Sequence, residues 1–421
     1  MRRQLRVELL RGTAPTAALV MFGANIWMLA VHQDDWVGRW AGLASWVRQS
    51  MLVLAALMVA AGAWQAGRER RRQIGDLLAS TARPAWQPML VGWLAVSLAG
   101  TAGLLAALAG AAVLVGRLAT YAGGDWWWTL AVGVLALWTA SALGVVVGRL
   151  VPLRVAAPIA GLATYLGLAV ATYAPLGTIT WLSPVHAGWG VERLVPAGTH
   201  LWQAAWFVAL TTLLLAVAAR RIRVALVCGA LAAASVVPIV TGPLPRRLPA
   251  DPAAVEPVCT VEGPQVCVAR INAYLLDDVA AVVQPVLRRV DGIPGAPSRA
   301  ADEVTAPPGY STVDDDGTIW FSLLGQSKAL GGLERLDWLR ASTDSFLARW
   351  VECRNGRHEQ GVFHANMLAR SWLHEEPPYG RVPIDRLLAL PLPQQRAWFA
   401  DYLAAGRACD TTRLIELARV P

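Results

Sequence analysis

The sequence predicts a mainly α protein: a polytopic helical membrane domain of about seven transmembrane helices, followed by a small disulfide-containing α+β domain. Three observations carry this. Of 421 residues, 55% are hydrophobic and only 16% are charged, outside the usual composition of a soluble chain. Charge is divided unevenly, with 20 Arg against 7 acidic residues in 1–249 and 17 Lys plus Arg against 22 acidic residues in 250–421. Four of the five cysteines fall in the second, acidic part.

The spans follow from length, since about 20 apolar residues cross the hydrocarbon core as a helix. Seven runs qualify, at about 13–31, 49–66, 88–116, 127–147, 155–175, 201–219 and 224–241, which makes 1–241 the membrane domain. The first run follows MRRQLR but lacks a small-residue cleavage site, so it reads as an anchor rather than a signal peptide. The third is long enough to tilt, or to break near Gly100 and Gly103. Ala106 with Gly110, and Ala107 with Ala111, offer small-residue surfaces for a neighbouring helix.

Arginine bias sets the expected orientation. A cytoplasmic N-terminus puts 14 arginines on cytoplasmic segments and four (Arg39, Arg48, Arg117 and Arg193) on outer loops, with Arg246 and Arg247 mildly opposed. The chain is then expected in a bacterial plasma membrane with its C-terminal domain extracytoplasmic. Trp36, Trp40, Trp46 and Trp126–Trp128 gather at the outer boundary as an interfacial belt. The positive excess lies beside apolar spans without aromatic interleaving, which points to topology and not to nucleic acid.

No core of these seven runs contains Asp, Glu, Lys, Arg or His, whereas ion-coupled transporters usually keep an ionisable group at depth. An apolar interior suits lipids, amphipathic peptides or hydrophobic small molecules better than ions. Asn25 is the most conspicuous polar residue in a span, and Thr139, Ser141, Thr164 and Tyr165 read as helix contacts. The one lysine, Lys328, sits in GQSKALGG and does not complete GxxxxGK[ST]. The chain is therefore not expected to be an ATPase, and no cofactor of its own is expected.

Residues 242–257 form a Pro-rich linker to the domain at 258–421. VCTVEGPQVCV is nearly mirror-symmetric about Gly263, so a hairpin turning at EGP places Cys259 opposite Cys267 and Val258 opposite Val268. Cys353 and Cys409 then pair by elimination, while Cys228 lies in a span. The alternative, a zinc site, lacks a usual ligand spacing. INAYLLDDVAAVVQPVLRRV repeats Ile271, Leu275, Val279, Val282, Val283 and Val286 at helical spacing. STVDDDGTIWFSLL reads as two short strands around a solvated DDDG turn that lacks the alternation of a calcium loop. LERLDWLRASTDSFLARW and PLPQQRAWFADYLAAGRACD read as helical.

Three histidines, His358, His364 and His374, cluster in HEQGVFHANMLARSWLHEE and are the candidate metal ligands. A zinc-peptidase helix needs HExxH so that two histidines share one face. Spacings of six and ten do not supply that, so no metal and no catalytic residue are assigned. GxSxG is also absent.

The stretch RERRRQIGDLLASTARPAW, residues 68–86, separates the second and third runs. Its arginines suit anionic headgroups. Ile74, Leu77, Leu78 and Thr81 fall on one face of a short helix that Arg83-Pro84 must end or kink. A topology signal lying on lipid explains the charge. An ordered apolar stripe with a Pro stop suits a helix presented to a cytoplasmic partner.

RRRQIGDLLASTARPAW resembles the coupling region of bacterial ABC-type exporter permeases, in which an Arg-rich segment leads into E/D-L-L-x-[ST]-T-x-R/P-x-W. APLGTITWLSPVHAGWG, and a tail ending ALPLPQQRAWFADYLAAGRACD, also resemble such membrane proteins. The resemblance implies a permease driven by a separate cytoplasmic ABC ATPase that uses the ATP, working as a homodimer or as a heterodimer with a second permease. It also implies a coupling helix over 70–82, carrying Arg70, Arg71, Arg72, Ile74, Asp76, Leu77, Leu78 and Thr81. The chain departs from the six-span form by a seventh span and the added domain. The alternatives are a membrane-anchored extracytoplasmic binding or sensing protein, and an anchored hydrolase using the His358–His374 region.

Overall fold

In a computed structural model of the chain, the apolar runs become seven helices long and apolar enough to cross a membrane. The structure describes residues 2–71, 84, 86–151, 153–174, 176–185, 190–244, 247–307, 317–323, 332–333, 336–344, 346–347, 360–374 and 384–419. The chain divides into two units, Met1–Asp251 and Pro252–Pro421.

The first unit begins with α1 (Arg2–Arg11), α2 (Ala14–Val31) and the one-turn α3 (Gln33–Trp36). It continues with α4 (Trp40–Arg71), α5 (Trp86–Leu118), α6 (Trp126–Leu150), α7 (Ala156–Tyr173), α8 (Ala197–Ala218) and α9 (Ile222–Val240). All of these except α1 and α3 are candidate spans. Two starts differ from the sequence expectation: α4 begins at Trp40 rather than near 49, and α8 at Ala197 rather than near 201. Each extension brings a charged or titratable residue, Arg48 and His200, into a helix that apolarity alone would have trimmed.

α5 runs unbroken through Gly100 and Gly103. These glycines permit close approach: a Cβ at Gly103 would collide with the Ala18 carbonyl of α2. Gly144 of α6 likewise lies against the Val59 carbonyl of α4, the small-residue packing expected where helices meet in lipid. Of the proposed small-residue pairs, Ala107 and Ala111 are buried, whereas Ala106 and Gly110 face outward. Thr139 and Ser141 do join helices: the Thr139 hydroxyl is 3.0 Å from the Phe207 carbonyl and 2.8 Å from Thr211 Oγ1, and Ser141 is 2.7 Å from Ser97 Oγ. Thr164 instead bonds back to Ala160 O of its own helix.

The second unit is built on a four-stranded sheet of order β1-β2-β3-β4. β1 (Pro257–Cys259) and β2 (Val266–Ala269) form the expected hairpin, with Val258 opposite Val268 and Cys259 opposite Cys267. Gly263 turns it at φ +75°, a conformation that favours glycine. A 3-10 turn (Arg270–Leu275) and α10 (Leu276–Val290) then lead to β3 (Arg299–Asp302), which pairs parallel to β2. β4 (Thr318–Phe321) continues the parallel pairing. It is the second of the two strands expected around DDDG; residues 308–316 lie outside the described residues. α11 (Leu336–Thr343), α12 (Gln360–His374), α13 (Ile384–Leu388), α14 (Leu392–Ala408) and α15 (Thr411–Leu417) complete the unit. Val279, Val283 and Val286 of α10 pack with Ile319, Phe321, Leu368, Trp372 and Phe399 in one core, against which Val282 is only partly buried.

Candidate functional site

The crossing helices alternate in direction, so one end of the membrane unit collects α1, the start of α2, the end of α4, the start of α5 and the α8–α9 turn. α4 has 32 residues, about 48 Å at 1.5 Å per residue, longer than the roughly 30 Å hydrocarbon core. Its tail is held by α1. Arg68 Nη2 lies 2.9 Å from Glu8 Oε1, Gln65 Nε2 donates to Glu8 Oε2 at 3.1 Å, and Thr13 Oγ1 donates to Gln65 Oε1. Leu5 and Leu9 of α1 pack on Ala14, Ala18, Ala95 and Ala99, so one amphipathic helix fixes α2, α4 and α5 together.

This end frames the segment expected to couple to a partner. Arg70 and Arg71 belong to the last turn of α4, and Arg71 Nη2 donates to the Trp64 carbonyl at 2.6 Å. On the other flank, Gln87 N donates to Pro84 O at 3.0 Å. Trp86 opens α5 with the Arg221 guanidinium 5.0 Å above its ring, a cation–π contact. The motif's Trp and its leading arginine thus terminate two fixed helices. Arg72, Ile74, Asp76, Leu77, Leu78 and Thr81 lie outside the described residues.

The opposite end corrects the expectation that Arg48 lies on an outer loop, because α4 begins before it; the cores of the expected runs still hold no ionisable group. Arg48 is fully buried within α4, 20 residues or about 30 Å from Arg68, which places it at the far edge of the hydrocarbon. Its Nε donates to Pro184 O at 2.9 Å and its Nη1 to Thr129 O at 3.3 Å, while Nη2 has no partner among the described residues. His200 is 2% exposed, its ring parallel to Trp128 at 6.2 Å and its Nδ1 without a partner among the described residues. Nearby, Gln203 Nε2 donates to Trp181 O at 2.6 Å. A cavity of about 40 Å³ is lined by Ser45, Trp126, Thr129, Arg193 and His200 among others, enough space for an ordered water. Asn25, about two-thirds along α2, is fully buried with neither amide atom bonded among the described residues. Arg48 was findable in the sequence: Ala44, Val47, Met51 and Leu54, all buried, recur at helical spacing and put position 48 on the same inward face.

No protein family matches this chain, and neither a curated protein nor a solved structure shows similarity to it. This is a polytopic membrane protein. Its membrane character rests on its own seven helices, and the C-terminal unit adds a disulfide between Cys259 and Cys267.

Cys409 is also disulfide-bonded, and Cys353 lies outside the described residues. Of the three candidate histidines, His358 is likewise outside them. His364 and His374 stand ten residues apart on α12, about 15 Å along its axis, and do not converge. His374 Nε2 instead bonds Asp344 Oδ1, while Arg370 Nε lies 2.8 Å from Asp344 Oδ2. Positions 370 and 374 are one turn apart, so together they grip the carboxylate that follows α11. Among the described residues, no three of His, Cys, Asp and Glu come together as a metal site.

Proposed function

We propose that the protein is the membrane-spanning permease subunit of an ABC-type exporter, with residues 70–82 docking on a separate cytoplasmic ATPase. The observation that supports this most is the pair of fixed helix ends, α4 at Arg71 and α5 at Trp86, that bracket RRRQIGDLLASTARPAW. A force applied to that segment would pass directly into two spanning helices, both clamped by α1. ATP hydrolysis outside this chain supplies the work. In this reading the N-terminus is cytoplasmic, the C-terminal unit is extracytoplasmic, where its disulfide would persist, and the permease acts as a homodimer or with a second permease.

The test is affinity purification of the tagged full chain from its native membrane. An ABC ATPase should accompany the wild type and be lost when Ile74, Leu77 and Leu78 are changed to Ser, with expression and elution profile unchanged. Retention of the ATPase by that triple variant would sink the docking assignment. A second reading, an anchored binding or sensing protein, draws on the separate core and disulfide of the C-terminal unit. It predicts that no ATPase accompanies the wild type.

A further inference from the structure

The arginine-rich end carries a second feature, independent of any ATPase. A groove of about 370 Å³ opens between α2, α4 and α7, within the size range of small-molecule sites. Ala17, Met21, Met58 and Ala157 form its buried floor, and the exposed Val20 and Trp64 stand at its edges. It occupies the half of the membrane nearest the arginines, since it runs along α4 only from Leu57 to Trp64.

Its mouth is cationic. The Arg71 guanidinium lies 4.6 Å above the Trp64 ring, folded back toward the membrane, whereas a long basic side chain there ordinarily reaches outward to water. Gly67 makes this possible: a Cβ there would collide with Arg71 Nη1. Arg154 is exposed just before α7, whose Ala157 and Pro158 line the groove. Glu8 of α1, at this end, is engaged by Arg68 and Gln65. Among the described residues no carboxylate pairs with Arg71 or Arg154.

The Arg71 guanidinium folded over the groove's Trp64 edge, with the exposed Arg154 four residues before Pro158 of its α7 wall, gives an apolar groove a mouth complementary to an anion that carries a hydrocarbon chain. We propose that this groove binds one anionic phospholipid, its phosphate between Arg71 and Arg154 and one acyl chain between α2, α4 and α7. Guanidinium–phosphate pairing is strong and geometrically specific, and the apolar lining receives the chain.

The experiment is native mass spectrometry of the full chain released from detergent, titrated with phosphatidylglycerol or with phosphatidylcholine of the same acyl chains. Wild type should retain one phosphatidylglycerol with about tenfold preference over phosphatidylcholine, roughly the effect of one good charge-assisted contact. R71Q/R154Q should remove the preference, and R2Q/R3Q, which removes the same charge from the exposed face of α1 at the same end, should keep it. A61W, which fills the groove, should lose the bound lipid with both arginines in place. Thermal shift of the wild type alone supplies a readout that needs no variant: phosphatidylglycerol should raise Tm more than phosphatidylcholine at equal concentration. Equal retention of the two lipids by wild type, or equal loss in R2Q/R3Q and R71Q/R154Q, would show annular or general surface attraction and overturn the site.

Discussion

Asp302 in the C-terminal unit and Arg48 in the membrane unit are both fully buried, and their surroundings treat them in opposite ways. Asp302 accepts from Asn272 Nδ2 at 2.6 Å, Val304 N at 3.2 Å and Ala269 N at 3.4 Å. It ties the end of β2, the 3-10 turn and its own following turn to one carboxylate. Arg48 has two backbone carbonyls and, among the described residues, one nitrogen without a partner. A buried ion with all its bonds made holds a fold together, whereas one short of partners is a net burden on it. The first charge gains more from its surroundings than the second does.

The sharpest way to break this contrast is Asp302→Ala. It strands the Asn272 amide and two backbone N–H groups, each costing about 1–3 kcal/mol when left buried and unsatisfied. Denaturant unfolding of the full chain, followed by proteolysis of the C-terminal unit, should show that loss. Asp302→Asn, which keeps an acceptor, should lose less. Next in size is Cys259→Ser with Cys267→Ser. The two are separated by 8 residues, and closing so short a loop is worth about 2.5 kcal/mol in the chain-entropy picture. If the double serine variant is less stable than Asp302→Ala, the carboxylate is not the principal tie in this unit.

Arg48→Met probes the other side. Replacing an incompletely paired buried ion by an apolar side chain of similar length is neutral to about 2 kcal/mol stabilising. The melting temperature in detergent should therefore hold or rise, while any activity that depends on a fixed positive charge at that edge falls. A destabilisation comparable to that of Asp302→Ala would put the two charges in the same structural class and remove the contrast.

These differences also bear on what could be read in advance. The hairpin was legible because its signal is local: a palindrome about Gly263 fixes register without reference to the rest of the chain. The spans were legible because lipid imposes length and apolarity together. Their ends were not, since a hydropathy run stops at the first charge whereas the helix stops when its backbone does. Arg48 and His200 were lost in that gap. β3, sequence RAAD, carries none of the branched or aromatic residues that mark strands, and its parallel pairing to β2 depends on a long-range crossover that no local pattern encodes. The groove over α4 arises where α2 and α7 part, a property of packing that neither helix reveals alone. By contrast, the coupling segment was legible only as a motif, and the structure describes its flanks.

A third charge lies between the two extremes and supplies the finest test. Asp35, in the short α3 between the first two spans, is held above the ordinary carboxylate value of 3.8 by partial burial and then by the Asp34 charge, with His32 and Arg39 pulling in the opposite direction. A carboxyl whose pKa is higher folded than unfolded binds its proton more tightly in the fold. Its contribution to stability is therefore complete below the unfolded pKa and is lost as pH rises through the folded one. Once ionised, Asp35 burdens the membrane unit as Arg48 does, though less, because part of it still meets water. Asp35→Asn should raise the melting temperature slightly at pH 7, and that gain should shrink toward zero as the pH is lowered below about 4. A gain of the same size at every pH would mean that the amide improves packing or hydrogen bonding instead, and that ionisation of Asp35 carries no penalty in the fold.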